Sequence, residues 1–74
     1  MNTVLKIEDK KAIGFFEKRA IENCLNDFFG NDPRELAGKL SNYYDLSSFN
    51  IGSSGSHVWI HNTEEKRIAI IYFR

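Results

Sequence analysis

The chain lacks the features that most often staple a small protein. It has one cysteine, Cys24, and so no internal disulfide, and a single proline stiffens its 74 residues. At this length one core leaves a narrow stability margin, so residues 1–74 should form a single packed domain, with self-association as a further source of support. A lone thiol suits a reducing compartment. The opening MNTVLKIEDKK has no apolar run of signal-peptide type. The longest such run, Ile68 to Phe73, is well short of the ~20 residues that cross a bilayer. The expectation is a cytoplasmic protein with no membrane partner and no cofactor.

Charge of one sign is missing too. Ten basic residues stand against ten acidic ones, and the first thirty residues are already balanced. Nucleic-acid binding draws most of its affinity from neutralised phosphates, which makes a nucleic-acid partner unexpected. Mimicry of DNA would need the opposite imbalance.

What is present is apolar periodicity. TVLKI (Thr3–Ile7) reads as a strand. Ile13, Phe16, Ala20, Ile21, Cys24, Leu25 and Phe28 share one helical arc, which predicts a helix from about Asp9 to Phe29, stopped by Gly30. A hairpin over TVLKIEDKKAIGFF is the alternative. In NDPREL, Asp32 is an N-cap, Pro33 suits the first helical position and Glu35 completes a capping-box pattern, predicting a helix over Pro33–Tyr44. A short strand near Leu46–Ile51 and a Gly/Ser turn should follow, then strands Ser56–His61 and Arg67–Phe73 joined by NTEEK. RIAIIYF is apolar on both faces, as in a covered central strand. The expected fold class is α+β: two helices on one face of an antiparallel sheet of three to four strands, in the order β-α-α-(β)-β-β. Val58 and Ile60 should face the helices, with His57, Trp59 and His61 on the other side.

Several chemistries can be weighed on spacing. Two histidines four apart on a strand stand about 13 Å apart, at ~3.3 Å per residue, too far to share a zinc ion. GSSGS lacks the Gly-Lys-Ser/Thr continuation of a phosphate loop. Glu17 falls inside the apolar arc, where a carboxylate's pKa can rise toward that of a general acid; the plainer alternative is that Phe15 and Phe29 widen the buried face and leave it at the margin. Cys24 has no activating cation beside it and reads as an inert core thiol.

GSSGSHVWIHNTEEKRIAIIYF resembles the central hairpin of HicA-type toxins, small mRNA interferases with a dsRBD-like α-β-β-β-α fold. PRELAGKLSNYY is similar to the helix before that family's first strand, so the likeness covers about residues 33–73. The resemblance implies a metal-independent ribonuclease with Gly55-Ser56-His57 as the motif triplet. His57 would be the general base, since histidine titrates near neutrality. Gly55 and Ser56 would let a phosphate approach, Lys66 or Arg67 would neutralise developing charge, and Trp59 would stack on an unpaired base. That family is strongly basic, whereas this chain is neutral.

Composition favours a different function. Between Ser41 and Thr63 only Asp45 is charged, while Tyr43, Tyr44, Phe49, His57, Trp59 and His61 sit among serines, asparagines and glycines. Rigid aromatics among small adaptable residues are typical of protein-binding surfaces. The leading expectation is a small regulatory or inhibitor-type module that binds a larger protein through these six residues. A winged helix that binds DNA is a further alternative, with RELAGKL as its first motif helix. SNYYDLSSFNIGSS would then be the recognition helix, without a lysine or arginine to reach phosphates.

Overall fold

A computed structural model describes residues 3–74 and shows an α+β fold. Strand β1 spans Thr3–Ile7 and a 3-10 turn Lys10–Ala12. Helices α1 (Phe15–Asp27) and α2 (Pro33–Ser41) follow, then a second 3-10 turn, Tyr44–Leu46. Strands β2 (Asn50–Ser54), β3 (His57–His61) and β4 (Arg67–Phe73) complete the chain. The four strands form one antiparallel sheet in the order β1-β4-β3-β2. The first strand thus pairs with the last, and the rival hairpin over residues 3–16 does not form.

The first helix starts later than the periodicity suggests. Asp9 caps only the short 3-10 turn, accepting from the Lys11 amide at 3.2 Å. Ile13 and Gly14 are extended, and α1 begins after them. There the Gly14 N–H donates to Glu17 Oε1 at 2.6 Å, so Glu17 satisfies an orphan amide at the N-terminus. That gives the carboxylate a structural duty in place of an acid one. Phe15 and Phe29 are both exposed, so neither widens the buried face, and Phe16, exposed as well, leaves the expected core arc. At the far end, Phe28 turns extended and ends the helix two residues before Gly30.

Helix α2 starts as its sequence indicates. Asp32 Oδ1 accepts from the Arg34 amide at 3.0 Å and Pro33 takes the first turn. Glu35 makes no return bond to complete the box. The helix ends at Ser41, whose hydroxyl donates back to the Ala37 carbonyl at 2.8 Å, and the chain tightens into the Tyr44–Leu46 turn. The segment required as a recognition helix is therefore a 3-10 turn followed by strand β2. The winged-helix alternative loses its reading element.

Ala20, Ile21, Cys24 and Leu25 from α1, Phe28 just after it, and Leu36, Ala37 and Leu40 from α2 pack with Leu46 on Val58, Ile60, Ile68, Ala69 and Ile71 of the sheet. All the large members of this cluster are buried. Fully burying one such side chain contributes roughly 1.5–3 kcal/mol, so this single layer holds the fold together. Strand β4 lies between β1 and β3, and Ile68 to Ile71 are buried in succession, as an apolar central strand should be. A bulge opposite Ile60 and His61 inserts Ile68. Its carbonyl accepts from both the Glu8 and Asp9 amides, at 2.8 and 3.1 Å.

The Gly/Ser run is less of a loop than it looks. Gly52, Ser53 and Ser54 belong to β2, which starts later than the expected Leu46–Ile51 and runs past its end, and only Gly55-Ser56 turns. Gly55 has φ +60° and Ser56 does not share that region, the pattern of a type II′ hairpin turn with glycine first.

Candidate functional site

Antiparallel strands send alternate side chains to opposite faces. In β3, Val58 and Ile60 are fully buried under the helices, while His57, Trp59 and His61 project the other way and stay half-buried. The register sets their neighbours on this open face: Tyr72 beside His57, Ile70 and Gly52 beside Trp59, and Arg67 and Asn50 beside His61. Lys6 lies beyond Ile70 on β1.

The indole of Trp59 lies over Gly52. A Cβ built on that glycine would meet the six-membered ring at 2.4–2.9 Å, so only glycine leaves room for the indole to lie across β2. His61 stacks on Trp59 with ring centroids 4.2 Å apart and planes 30° apart. Ile70, although on the open face, is only 2% exposed; its register partners Trp59 and Lys6 flank it on either side. His57 leans toward Tyr72 at 6.0 Å. The result is a shallow aromatic layer, Trp59–His61 and His57–Tyr72, laid across strands β2 to β4.

Charge on this face is confined to its edge. Arg67 Nε and Nη2 donate to the two carboxylate oxygens of Glu8 at 2.6 and 3.0 Å, and Lys66 Nζ donates to Asp9 Oδ2 at 3.1 Å. These bonds hold the Glu8 and Asp9 carboxyls below their ordinary range, the guanidinium and the ammonium being the respective main causes, and Glu8 in turn raises Arg67. Asn62 Oδ1 fixes the adjoining loop by accepting from the Glu64 and Lys66 amides, each at 2.9 Å.

The six expected protein-contact residues do not make one patch. His57, Trp59 and His61 come together. Tyr43 and Phe49 pack against the main core, on the helix side of the sheet. Tyr43 borders Cys24, and burial pushes both the thiol and the phenol up. Tyr44 is 88% exposed, but on the 3-10 turn that packs on α1, away from the indole. Composition pooled two surfaces that the sheet separates. It also missed Tyr72 and Gly52, which do belong to the open face. The alternation in β4 was hidden because its inner positions are apolar on both faces. The demand on Gly52 comes from a neighbouring strand and leaves no local trace.

The groups named by the toxin resemblance are spread along the hairpin. His57 and the Gly55-Ser56 turn lie at one end, while Lys66 and Arg67 lie at the other. Tyr72 is the register partner of His57, and Arg67 is five residues further along β4, about 16 Å at ~3.3 Å per residue. The histidine beside Arg67 is His61. Elements α2-β2-β3-β4 follow the α-β-β-β part of the order that the resemblance implies, but the second helix of the layer is α1, which precedes them. Among the described residues, no three His, Cys, Asp or Glu side chains gather as a metal site, and no helix is long and apolar enough to cross a membrane. No protein-family model matches the chain, and neither the curated proteins nor the solved structures contain a significant match to it.

Proposed function

We propose that the protein is a small binding module, of regulatory or inhibitor type, that engages a larger protein through the open face of its sheet. The observation that carries this reading is the Trp59–His61 stack laid over Gly52, outside the main core, on a rigid sheet. Tryptophan and tyrosine are the residues that most often dominate binding energy, because a large rigid surface is immobilised at low entropic cost. Around them the face offers His57, Asn50 and Ser54 as hydrogen-bonding groups, and its charges are Lys6 and the mutually paired Glu8 and Arg67. A contact centre poor in free charge suits desolvation by a protein surface.

The ribonuclease alternative rests on His57 and the Gly55-Ser56 turn. It requires a cation within reach of the phosphate that His57 would serve, and Lys66 and Arg67 are engaged at the opposite end of the hairpin. One experiment separates the two readings. Wild type, His57→Ala and Trp59→Ala proteins are incubated with RNA in a chelator and, in parallel, used to capture partners from the native host. The binding reading expects intact RNA throughout and one partner that Trp59→Ala loses and His57→Ala largely retains. RNA degradation that disappears in His57→Ala would reverse the assignment.

A further inference from the structure

Strand β2 is an edge strand, and although α2 packs on it, the strand itself carries no charge, proline or bulge. Natural sheet edges are blunted by lysine, proline, bulges or a covering segment. Residues Asn50–Ser54 have no charge and no proline, and their pairing with β3 is regular. Which backbone groups point outward follows from the turn. A two-residue hairpin loop makes Ser54 and His57 a hydrogen-bonded pair, and such pairs alternate along the ladder. Ser54, Gly52 and Asn50 therefore bond to β3. The N–H and C=O groups of Ile51 and Ser53 face away from the sheet, and no other described backbone or side-chain group bonds to them.

We propose that a second copy of this chain adds to the sheet at this edge, β2 against β2′ antiparallel, with the twofold axis passing between the two Gly52 residues. The register is dictated by the outward groups. Ile51 pairs with Ser53′ and Ser53 with Ile51′, each exchanging both backbone bonds, and four new hydrogen bonds close an eight-stranded sheet. Gly52 then faces Gly52′ as a non-hydrogen-bonded pair, whose Cα atoms approach to about 4.5 Å. No Cβ stands between the copies there, and the indoles, each lying over its own Gly52, meet across the seam. Asn50 faces Ser54′ on the same side.

Charge is the reason the occupant is a copy of the chain. In this register only Gly52 faces its own image and Asn50 meets Ser54′, so two copies come together without a charge anywhere along the seam. From Leu46 to Thr63 the sequence has no Asp, Glu, Lys or Arg, and the strand is self-complementary in hydrogen bonding, size and neutrality. The opposite edge differs: β1 carries Lys6 and runs into Glu8 and Asp9. The pairing stands whether or not the open face binds another protein.

Asn50 and Ser54 are both exposed, so substitutions there leave the monomer's core untouched. Light scattering after size exclusion, run over a dilution series, should show a mass twice the 8.6 kDa of the chain that falls to the monomer on dilution. Asn50→Lys with Ser54→Lys sets lysines opposite one another across the seam and should give monomer at every concentration. Asn50→Lys with Ser54→Asp sets lysine opposite aspartate and should restore the dimer. Amide exchange at Ile51 and Ser53 should be slow in the dimer and speed up roughly tenfold or more on dilution, as the bonds across the seam are lost. A wild type that is monomeric throughout, or a dimer indifferent to the double-lysine substitution, would overturn the proposal.

Discussion

The two faces of β3 are built from alternate residues of one five-residue strand, yet they do different work. Val58 and Ile60 point under the helices and are fully buried within the large apolar cluster. His57, Trp59 and His61 point outward into a layer one side chain deep, resting on Ile70 and Gly52. The inner face needs shape complementarity with two helices, whereas the outer face needs only a flat floor. A small protein can thus keep its stability on one side of a sheet and hold the other side for contact.

The sharpest way to break this contrast is to truncate both sides in turn. Ile60→Ala removes a fully enclosed side chain and should cost about 2–5 kcal/mol, a large share of what a domain of this size has, read as a fall in the urea midpoint. Trp59→Ala should cost the fold clearly less, because the indole is half-buried, while weakening partner binding by about 2 kcal/mol or more in calorimetry with the captured partner. Gly52→Ala tests the floor itself. A methyl group there collides with the indole, so the side chain must leave its place at a cost of about 1–3 kcal/mol, with a changed tryptophan emission maximum. The alternative of similar loss at Gly38, where a Cβ meets nothing, would show that the effect is general and not due to the indole.

Smaller effects mark the border of the open face. The carboxyls of Glu8 and Asp9 are held low by Arg67 and Lys66. A depressed carboxylate stabilises the fold at pH values above its unfolded pKa, near pH 4, and that contribution is lost as pH falls through the folded value. The denaturation midpoint should therefore decline on the acid side of about pH 4, and less so in Arg67→Gln. Both pairs are on the surface, so the change is modest. The smallest effect is expected at Glu65, which has φ +62° in the NTEEK loop. Glu65→Gly relieves that backbone and should leave stability within about 1 kcal/mol of wild type, on the favourable side.

Much of this contrast was legible before any coordinates. Asp32-Pro33 marks the start of α2 through capping chemistry that acts locally. The alternation of HVWIH settles which side chains face the helices, because a period of two allows no other arrangement. The run RIAIIYF was readable as a central strand because it is apolar on both faces. Legibility failed where distant contacts decide. Helical periodicity carried α1 back through Ile13 and Gly14, since an apolar residue beside a glycine looks the same in a helix as in the approach to one. Serine and glycine in β2 read as a turn, although β3 supplies the ladder that holds them extended and the indole requires the glycine. Tyr43 and Phe49 were grouped with Trp59 by composition, and only the sheet shows that they lie on opposite sides of it.

Because the sequence contains one tryptophan, fluorescence reports on this single place in the molecule. Acrylamide quenching of the native protein tests the division between the two faces most directly. The account predicts that the folded monomer's emission, read at high dilution, is quenched readily, and that bound partner protects it. Emission that is shielded in the native monomer and becomes quenchable only on unfolding would put the indole inside the core and contradict the account.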